Sequence, residues 1–174
     1  MQQYFDLFVN EIKRLYPLLI FTYILFGVKE SKEKNILIIG YIFNTVLNFV
    51  LKNYIFFPIM RENNYPIIGI GSRPKNAMNC DLWSTGKAST TYGMPSGHAQ
   101  LITFFVMFQL FKNKPNNNNN NNQFKSYFNN FLLILVWGYL LYSRVELGCH
   151  TYQQVIVGSI VGAITSYGII KWYY

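Results

Sequence analysis

Apolar residues along this chain are gathered into five runs separated by polar stretches. The runs are LYPLLIFTYILFGV (15–28), NILIIGYIFNTVLNFVLKNYIFF (35–57), AQLITFFVMFQLF (99–111), NFLLILVWGYLLYS (130–143) and TYQQVIVGSIVGAITSYGII (151–170). A membrane-spanning helix needs about 20 predominantly apolar residues, which the second and fifth runs supply alone. The other three need flanking aromatic and polar residues to span. None of the runs has the polar face that an outer helix of a soluble bundle requires.

The pattern therefore predicts an all-α integral membrane bundle of about five transmembrane helices, with residues 1–174 forming a single membrane-embedded domain. Composition agrees, because 51% of the residues are hydrophobic and only 13% are charged, against about 25% charged in soluble domains. The net charge of +8 would suit a nucleic-acid binder. Lys and Arg are scattered between the apolar runs without a basic face, so the membrane is the expected partner and nucleic acid is not.

The connections between the runs differ in kind. The 58–97 loop is long and rich in Gly, Pro and Asn, whereas the turn between runs four and five is very short. The asparagine tract NKPNNNNNNNQFK has no capacity to form a core, and predicts a disordered loop at about 113–126.

Five alternating spans bring one set of unusual polar residues to the same side of the membrane, which we call the site face. The two sides carry similar numbers of cations, but once the site cations are set aside the positive-inside rule favours the opposite side in the cytoplasm. The site face then looks into a lumen or the exterior, with the endoplasmic reticulum as one candidate compartment. Cys80 and Cys149 also fall on this face. They could form a disulfide there or remain as two free thiols, and the sequence does not decide between these alternatives. The polar residues that converge there are Lys52, Arg73, Ser96, His98, Arg144 and His150.

Each of these residues has an ordinary interpretation when taken alone, such as a lysine that snorkels to the interface. Together, three fixed cations suit an anion with several oxygens, such as a phosphate. Ser96 is a good N-cap for the third run, and a helix N-terminus offers backbone N–H groups to an anion. Gln154 lies four residues after His150 and therefore on the same helical face.

These residues resemble the type 2 phosphatidic acid phosphatase superfamily, whose pattern is K-x6-R-P, then P-S-G-H, then S-R-x5-H-x3-D. The second motif stands intact as PSGH (95–98), and the third stands as SR at 143–144 with His150 after five residues. The first motif departs from the family pattern, because 20 residues instead of six separate Lys52 from Arg73. Arg61 is the alternative to Arg73. YGMPSGHAQ and HTYQQVIVGSIVG are similar to the dolichyldiphosphatase branch, which also carries Gln where most of the superfamily carries Asp.

The resemblance implies a hydrolase that needs neither metal nor cofactor and acts on a lipid phosphate in the bilayer. It implies that His150 is the nucleophile, that His98 is the general acid and base, and that Gln154 orients His150. The phosphate-binding residues that it implies are Lys52, Arg73, Ser96, Gly97 and Arg144.

The leading function is hydrolysis of a polyprenyl (dolichyl) diphosphate to the monophosphate and phosphate through a phosphohistidine. A broader phosphatidic acid or lipid phosphate phosphatase is the second candidate, and an inactive membrane protein that binds phosphorylated lipids is the third. Glu146 is expected in an ion pair with a neighbouring cation. Gly158 and Gly162 form a G-x-x-x-G pattern that predicts close helix packing.

Overall fold

Helices make up most of the structure, a computed structural model that describes residues 2–77, 80, 89–113 and 120–173. In the described part there are five helices and one antiparallel pair of two-residue strands. The helices are α1 (Gln2–Phe26), α2 (Ser31–Met60), α3 (Gly97–Lys112), α4 (Asn120–Glu146) and α5 (Tyr152–Tyr173), and the strands are β1 (Asn64–Tyr65) and β2 (Gly69–Ile70). The all-α prediction is therefore confirmed for the described residues.

Helix α2 is not uniform along its length. It is α-helical over Ser31–Val50, becomes a π-helix over Leu51–Phe56, and returns to an α turn over Phe57–Met60. Pro58 lies in the first turn of that last segment, where its missing N–H is tolerated. A π turn holds one extra residue and is found mainly at functional sites. Here it contains Lys52.

Helices α2 and α3 run antiparallel, as contacts at their two ends show. The Lys112 ammonium pairs with the Glu33 carboxylate at one end, and Asn48 Nδ2 donates to Gln100 Oε1 at the other, at 2.9 Å. Between these ends lies an apolar core drawn from four helices. It includes Ile24, Leu37, Ile102, Phe104, Phe108 and Leu140.

Helix α5 packs closely against α3 because its glycines leave room for the backbone of α3. A Cβ added at Gly158 would lie 2.4 Å from the Ser96 carbonyl oxygen, and one at Gly162 would lie 2.2 Å from the Gln100 carbonyl oxygen. The G-x-x-x-G pattern thus lies in a close helix contact of the predicted kind.

The loop between α2 and α3 is tied to the helical ends that it covers. Tyr92 donates its hydroxyl hydrogen to the Arg61 carbonyl at 2.8 Å, and Met94 N–H donates to the Gly71 carbonyl at 2.9 Å. A disulfide joins Cys80 to Cys149, with Cα atoms 6.0 Å apart. The question that the sequence left open is thereby settled in favour of the disulfide.

The asparagine-rich loop predicted at about 113–126 lies only partly within the described residues. Residues 114–119 lie outside the described part of the chain, so the prediction of disorder stays a prediction there. Helix α4 already begins at Asn120, and Ser126 Oγ donates to the Asn113 carbonyl at 2.6 Å. Helix α4 thus extends backwards from its apolar run through residues 120–126.

Two helices, α2 and α5, are long and apolar enough to cross a membrane. Only 17% and 22% of their most apolar stretches are buried inside the protein, which distinguishes them from the core helices of a soluble bundle. Large apolar side chains on other helices are exposed as well, for example Leu19, Leu135 and Val136.

Candidate active site

A cavity of about 400 Å³ opens at the end of the bundle where α1, α2, α3 and the 147–151 turn meet. Five of the eight predicted site residues line it, namely Lys52, Arg73, Gly97, His98 and His150. They come from α2, the following loop, the start of α3 and the turn before α5. The other three predicted residues, Ser96, Arg144 and Gln154, are fully buried behind its walls.

A second space of about 810 Å³ adjoins this cavity. The two share Thr45, Asn48, Lys52 and Arg73 as lining residues. The second space is otherwise bordered by Phe49, Asn53 and Phe57 of α2 and by the loop between α2 and α3. Lys52 and Arg73 therefore lie at the junction of the two spaces.

His150 is buried, and Gln154 holds its ring. The Nδ1 atom of His150 lies 3.0 Å from Oε1 of Gln154. The oxygen of an amide only accepts, so Nδ1 carries the hydrogen and Nε2 keeps its lone pair. A ring in this state suits a nucleophile.

The amide of Gln154 is itself fixed in orientation. Its Nε2 donates to the Ile70 carbonyl at 3.0 Å and to the Ser72 carbonyl at 2.7 Å. Both acceptors are backbone oxygens at the end of β2, so the NH₂ group must face them and the oxygen must face His150. Gly93 leaves the necessary room, because a Cβ there would lie 2.6 Å from Nε2 of Gln154. The β1–β2 hairpin thus positions the partner of His150.

His98 belongs to the first turn of α3 and is held by α1. Its Nε2 lies 3.2 Å from the Arg14 carbonyl oxygen, which only accepts, so Nε2 carries a hydrogen. The Tyr16 ring meets the imidazole edge-on, with centroids 5.4 Å apart. A protonated His98 therefore keeps one N–H on the protein and has the second for another acceptor.

Ser96 caps α3 as its residue type predicts. Its backbone is extended, with φ −67° and ψ 114°, and its Oγ accepts from the Ala99 N–H at 3.4 Å. The Ser96 N–H donates to the Gln154 carbonyl at 3.0 Å. This bond ties the start of α3 to α5, so the helix end beside Gly97 is aligned with the His150 turn.

Arg73 lies in the cavity wall, whereas Arg61 does not. Arg73 donates from Nε to the Thr91 carbonyl at 3.0 Å, from Nη2 to Thr91 Oγ1 at 2.7 Å, and from Nη1 to the Cys149 carbonyl at 3.3 Å. Arg61 is exposed at the end of α2 and lines neither space. Of the two candidates for the first motif, Arg73 is the one that the fold brings to His150.

Arg144 is fully buried near the end of α4 and does not line the cavity. Its Nη1 donates to the Lys13 carbonyl at 2.7 Å, and its Nη2 donates to Cys149 Sγ at 3.1 Å. The Tyr16 ring lies 5.9 Å from the guanidinium. The backbone N–H of His150 donates to the Arg144 carbonyl at 3.1 Å. Through its bond with Cys149, the guanidinium lies against the turn that carries His150.

Glu146 forms an ion pair with Lys13, with Nζ and Oε2 2.6 Å apart. The expected ion pair with a neighbouring cation is therefore present. Lys13 belongs to α1, so the pair joins the first helix to the end of α4. Among the described residues, no group of three or more His, Cys, Asp and Glu side chains is arranged to hold a metal ion.

A network of buried and partly buried amides beside the site was not predicted from the sequence. Gln100 Nε2 donates to Asn44 Oδ1 at 3.0 Å, Thr165 Oγ1 donates to the same oxygen at 2.9 Å, and Asn48 reaches both Gln100 and the Pro95 carbonyl. This network joins α2, α3 and α5. The available signal was the presence of Asn44, Asn48 and Gln100 inside otherwise apolar runs, since polar residues at membrane depth are usually functional.

Burial lowers the pKa of the His150 imidazole well below its ordinary value. The positive charges of Arg73 and Lys52 lower this pKa further, Arg144 adds a smaller effect of the same sign, and the bond with Gln154 opposes them. The lowered pKa favours the neutral imidazole of His150 at neutral pH.

The sequence that forms this site matches a known family. The model of the PAP2 superfamily matches residues 33–174. The chain belongs to the PAP2 superfamily. The match includes α2, α3, α4 and α5, and with them all eight predicted site residues. The recognition made from the motifs is therefore confirmed.

Three relatives of this PAP2 chain carry functional names. "Dolichyldiphosphatase" of Saccharomyces cerevisiae is 29% identical over 180 residues, which cover 95% of this chain and 68% of that protein. "Dolichyldiphosphatase 1" of Dictyostelium discoideum is 37% identical over 86 residues, 47% of this chain and 37% of that protein. "Lipid phosphate phosphatase epsilon 2, chloroplastic" of Arabidopsis thaliana is 35% identical over 81 residues, 47% of this chain and 26% of that protein.

The chain thus spans about two thirds of the yeast relative and much less of the other two. No solved structure matches it. PAP2 membership and these relatives make the protein a phosphatase of lipid phosphate esters.

Proposed function

We propose that this protein is a multi-pass membrane phosphatase that hydrolyses a polyprenyl (dolichyl) diphosphate to the monophosphate and phosphate. The observation that carries the proposal is the His150–Gln154 pair. It presents a neutral imidazole in a cavity that also holds His98 and two cations, Lys52 and Arg73. Such a site has a nucleophile, a proton donor and an anion-binding wall.

The reaction proceeds in two steps. His150 Nε2 attacks the terminal phosphorus, and the bond from that phosphorus to the bridging oxygen breaks. His98 gives a proton to the departing lipid phosphate. Water then attacks the phosphohistidine, His98 takes a proton from that water, and phosphate leaves with His150 restored. General acid–base help of this kind contributes typically 10²–10⁴ in rate.

The charge of the transferred phosphoryl group is balanced by the cations around the cavity. Lys52 and Arg73 contact its oxygens, the N-terminus of α3 at Gly97 offers backbone N–H groups, and Arg144 adds its charge from behind the wall. Preorganised charge of this kind is usually the largest catalytic contribution.

The shape of the cavity supports a lipid substrate. Tyr41, Thr45, Asn48 and Lys52 all line it, and their spacing puts them on one face of α2. At 1.5 Å per residue the lining runs about 16 Å from Lys52 to Tyr41. A lipid therefore has its phosphate beside Lys52 and its tail along this face, toward the exposed apolar surface of the helices.

The topology proposed with this function has five spans in one membrane domain over residues 1–174, with the site face toward a lumen or the exterior. The exposed apolar side chains of the five helices support the spans. The Cys80–Cys149 disulfide supports the orientation, because disulfides persist in oxidising compartments. The endoplasmic reticulum is such a compartment.

A broader lipid phosphate phosphatase is the second candidate. The name of the Arabidopsis relative favours it, as does the open second space beside Lys52 and Arg73. The test is an assay of purified protein in detergent with excess chelator, in which dolichyl diphosphate and phosphatidate are compared as substrates. Orthovanadate should inhibit phosphate release, and His150→Ala should abolish it.

Tyr152→Phe is the matched control, because Tyr152 is exposed one residue beyond the turn and should retain full activity. Brief reaction with labelled substrate should leave acid-labile phosphate on the peptide that contains His150. Equal rates on both lipids would favour the broader enzyme. Binding of lipid without any phosphate release would make the protein an inactive lipid binder, and activity that requires a metal would overturn the proposed reaction.

A further inference from the structure

Helix α1 contains a proline in its interior, at Pro17. Proline has no N–H to donate to the carbonyl four residues earlier, and its ring crowds that carbonyl. The carbonyl in question belongs to Lys13. Pro17 therefore removes the helical donor of one backbone oxygen in the middle of a helix.

That oxygen is the one bonded by Arg144. Arg144 Nη1 donates to the Lys13 carbonyl at 2.7 Å, and the next carbonyl along, that of Arg14, accepts from His98 Nε2 at 3.2 Å. Two residues that the proposed reaction uses, from α3 and α4, are thus held by adjacent backbone oxygens beside a helical proline.

Tyr16 and Pro17 surround the bond between Arg144 and the Lys13 carbonyl. The Tyr16 ring lies 5.9 Å from the Arg144 guanidinium and meets His98 edge-on at 5.4 Å. Pro17 itself lines the cavity with His98 and His150, and its own carbonyl accepts from the Tyr41 hydroxyl at 3.2 Å. All of α1, Pro17 included, precedes the residues that the family model matches, 33–174.

We propose that Pro17 is a positioning residue, which keeps the Lys13 carbonyl available to Arg144 and so fixes the Arg144 charge behind the phosphate site. A residue with a backbone N–H at this position competes with Arg144 for the same oxygen. The inference rests on the proposed function only in that the site must bind a phosphate.

The test compares Pro17→Ala with the parent protein in detergent, with orthophosphate and orthovanadate as the probes. Loss of part of a hydrogen bond to a charged group should weaken binding of both anions about tenfold. The midpoint of thermal unfolding should stay unchanged or rise, because alanine is far better than proline inside a helix. A merely structural proline would move binding and stability in the same direction.

Pro58→Ala is the matched control. Pro58 is exposed in the last turn of α2 and lines neither space, so anion binding should not change. A double-mutant cycle provides the second readout, in which the effect of Pro17→Ala on anion binding is measured with Arg144 present and in the Arg144→Lys background. If Pro17 acts through Arg144, Pro17→Ala should change anion binding less than twofold in the Arg144→Lys background.

Unchanged anion binding in Pro17→Ala, or equal weakening in both backgrounds, overturns the inference. A parent protein that binds orthophosphate with the expected coupling but releases none from any lipid leaves the inference standing and overturns the proposed function. A parent protein that binds neither anion overturns both.

Discussion

Nδ1 of His150 and Oε1 of Gln154 lie 3.0 Å apart, and the direction of this bond is set from the far side of Gln154. Its NH₂ group is held by two backbone carbonyls, those of Ile70 and Ser72. An amide is the side chain that donates to one neighbour and accepts from the other. A carboxylate has no hydrogen for the two carbonyls and would place a negative charge against them.

We therefore expect Gln154→Glu to be harmful, although it restores the charge that most of the superfamily has at this position. Two partly buried carbonyls lose their donor, which costs up to about 1–3 kcal/mol for each group left unsatisfied. Phosphate release should fall at least tenfold, and the midpoint of thermal unfolding should fall with it. The measurements are kcat/KM in detergent and a thermal melt of the same samples. Higher activity in Gln154→Glu at unchanged stability would contradict this account of Gln154.

The pH dependence of activity follows from the lowered pKa of His150. Burial, and then the charges of Arg73 and Lys52, hold this pKa below the ordinary histidine value, which is about 6.5. The neutral nucleophile therefore persists to lower pH than an ordinary histidine allows, and the acidic limb of kcat/KM should lie below pH 6.5. Lys52→Met removes one charge and should move that limb toward higher pH.

The same shift affects folding stability. The unfolded chain binds a proton at His150 at a higher pH than the folded chain does, so this contribution to stability is lost as the pH falls below about 6.5. The chain has only two histidines, so NMR of histidine-labelled protein in detergent can follow His150, with His98→Gln to assign it. An apparent pKa for His150 at or above 6.5 would show that the charges around it do not act as described.

The sequence was sufficient to predict the parts of the site that are local. Ser96 caps α3 because serine before an apolar run has that preference, and Gln154 reaches His150 because four residues make one helical turn. The alternating direction of successive apolar helices was enough to place Lys52, His98 and His150 at one end. These steps need only helical periodicity and the length of an apolar run.

Features that depend on tertiary contacts were not predictable in this way. Nothing in the pattern around Lys52 signals a π turn, and the path that carries Arg73 back to Cys149 is set by the fold of a long loop. The carbonyl partners of Arg144 and His98 belong to the backbone of α1, whose side chains do not reveal them. Pro17 is visible in the sequence. The side chain that donates to the Lys13 carbonyl, however, depends on how α1 packs against α4.

The disulfide between Cys80 and Cys149 should matter for both stability and activity. It closes a stretch of 69 residues, and removal of a disulfide typically costs about 2–4 kcal/mol. Cys149 also contacts both arginines, through its carbonyl to Arg73 and its sulfur to Arg144. Cys80→Ser should lower the unfolding midpoint and reduce phosphate release. Dithiothreitol should do the same to the parent protein and have no further effect on Cys80→Ser; a parent protein that is insensitive to the reductant would contradict the prediction.

Close packing of α5 on α3 makes a prediction with an internal control. A methyl group at Gly158 would press on the Ser96 carbonyl, and one at Gly162 on the Gln100 carbonyl. Neither contact is with a flexible side chain, so each alanine substitution should cost about 1–3 kcal/mol. Gly158→Ala should also lower kcat/KM, because it displaces the cap of α3 beside His98.

Gly168 lies on the same helix with nothing within 4 Å of an added Cβ. Gly168→Ala should therefore stabilise the protein by about 0.5–1 kcal/mol through helix propensity alone. The measurement is the midpoint of thermal unfolding of the three variants, compared with the parent protein in one detergent. Equal midpoints for Gly158→Ala and Gly168→Ala would mean that α5 does not pack on α3 through its glycines, and that the Ser96 cap is aligned by other contacts.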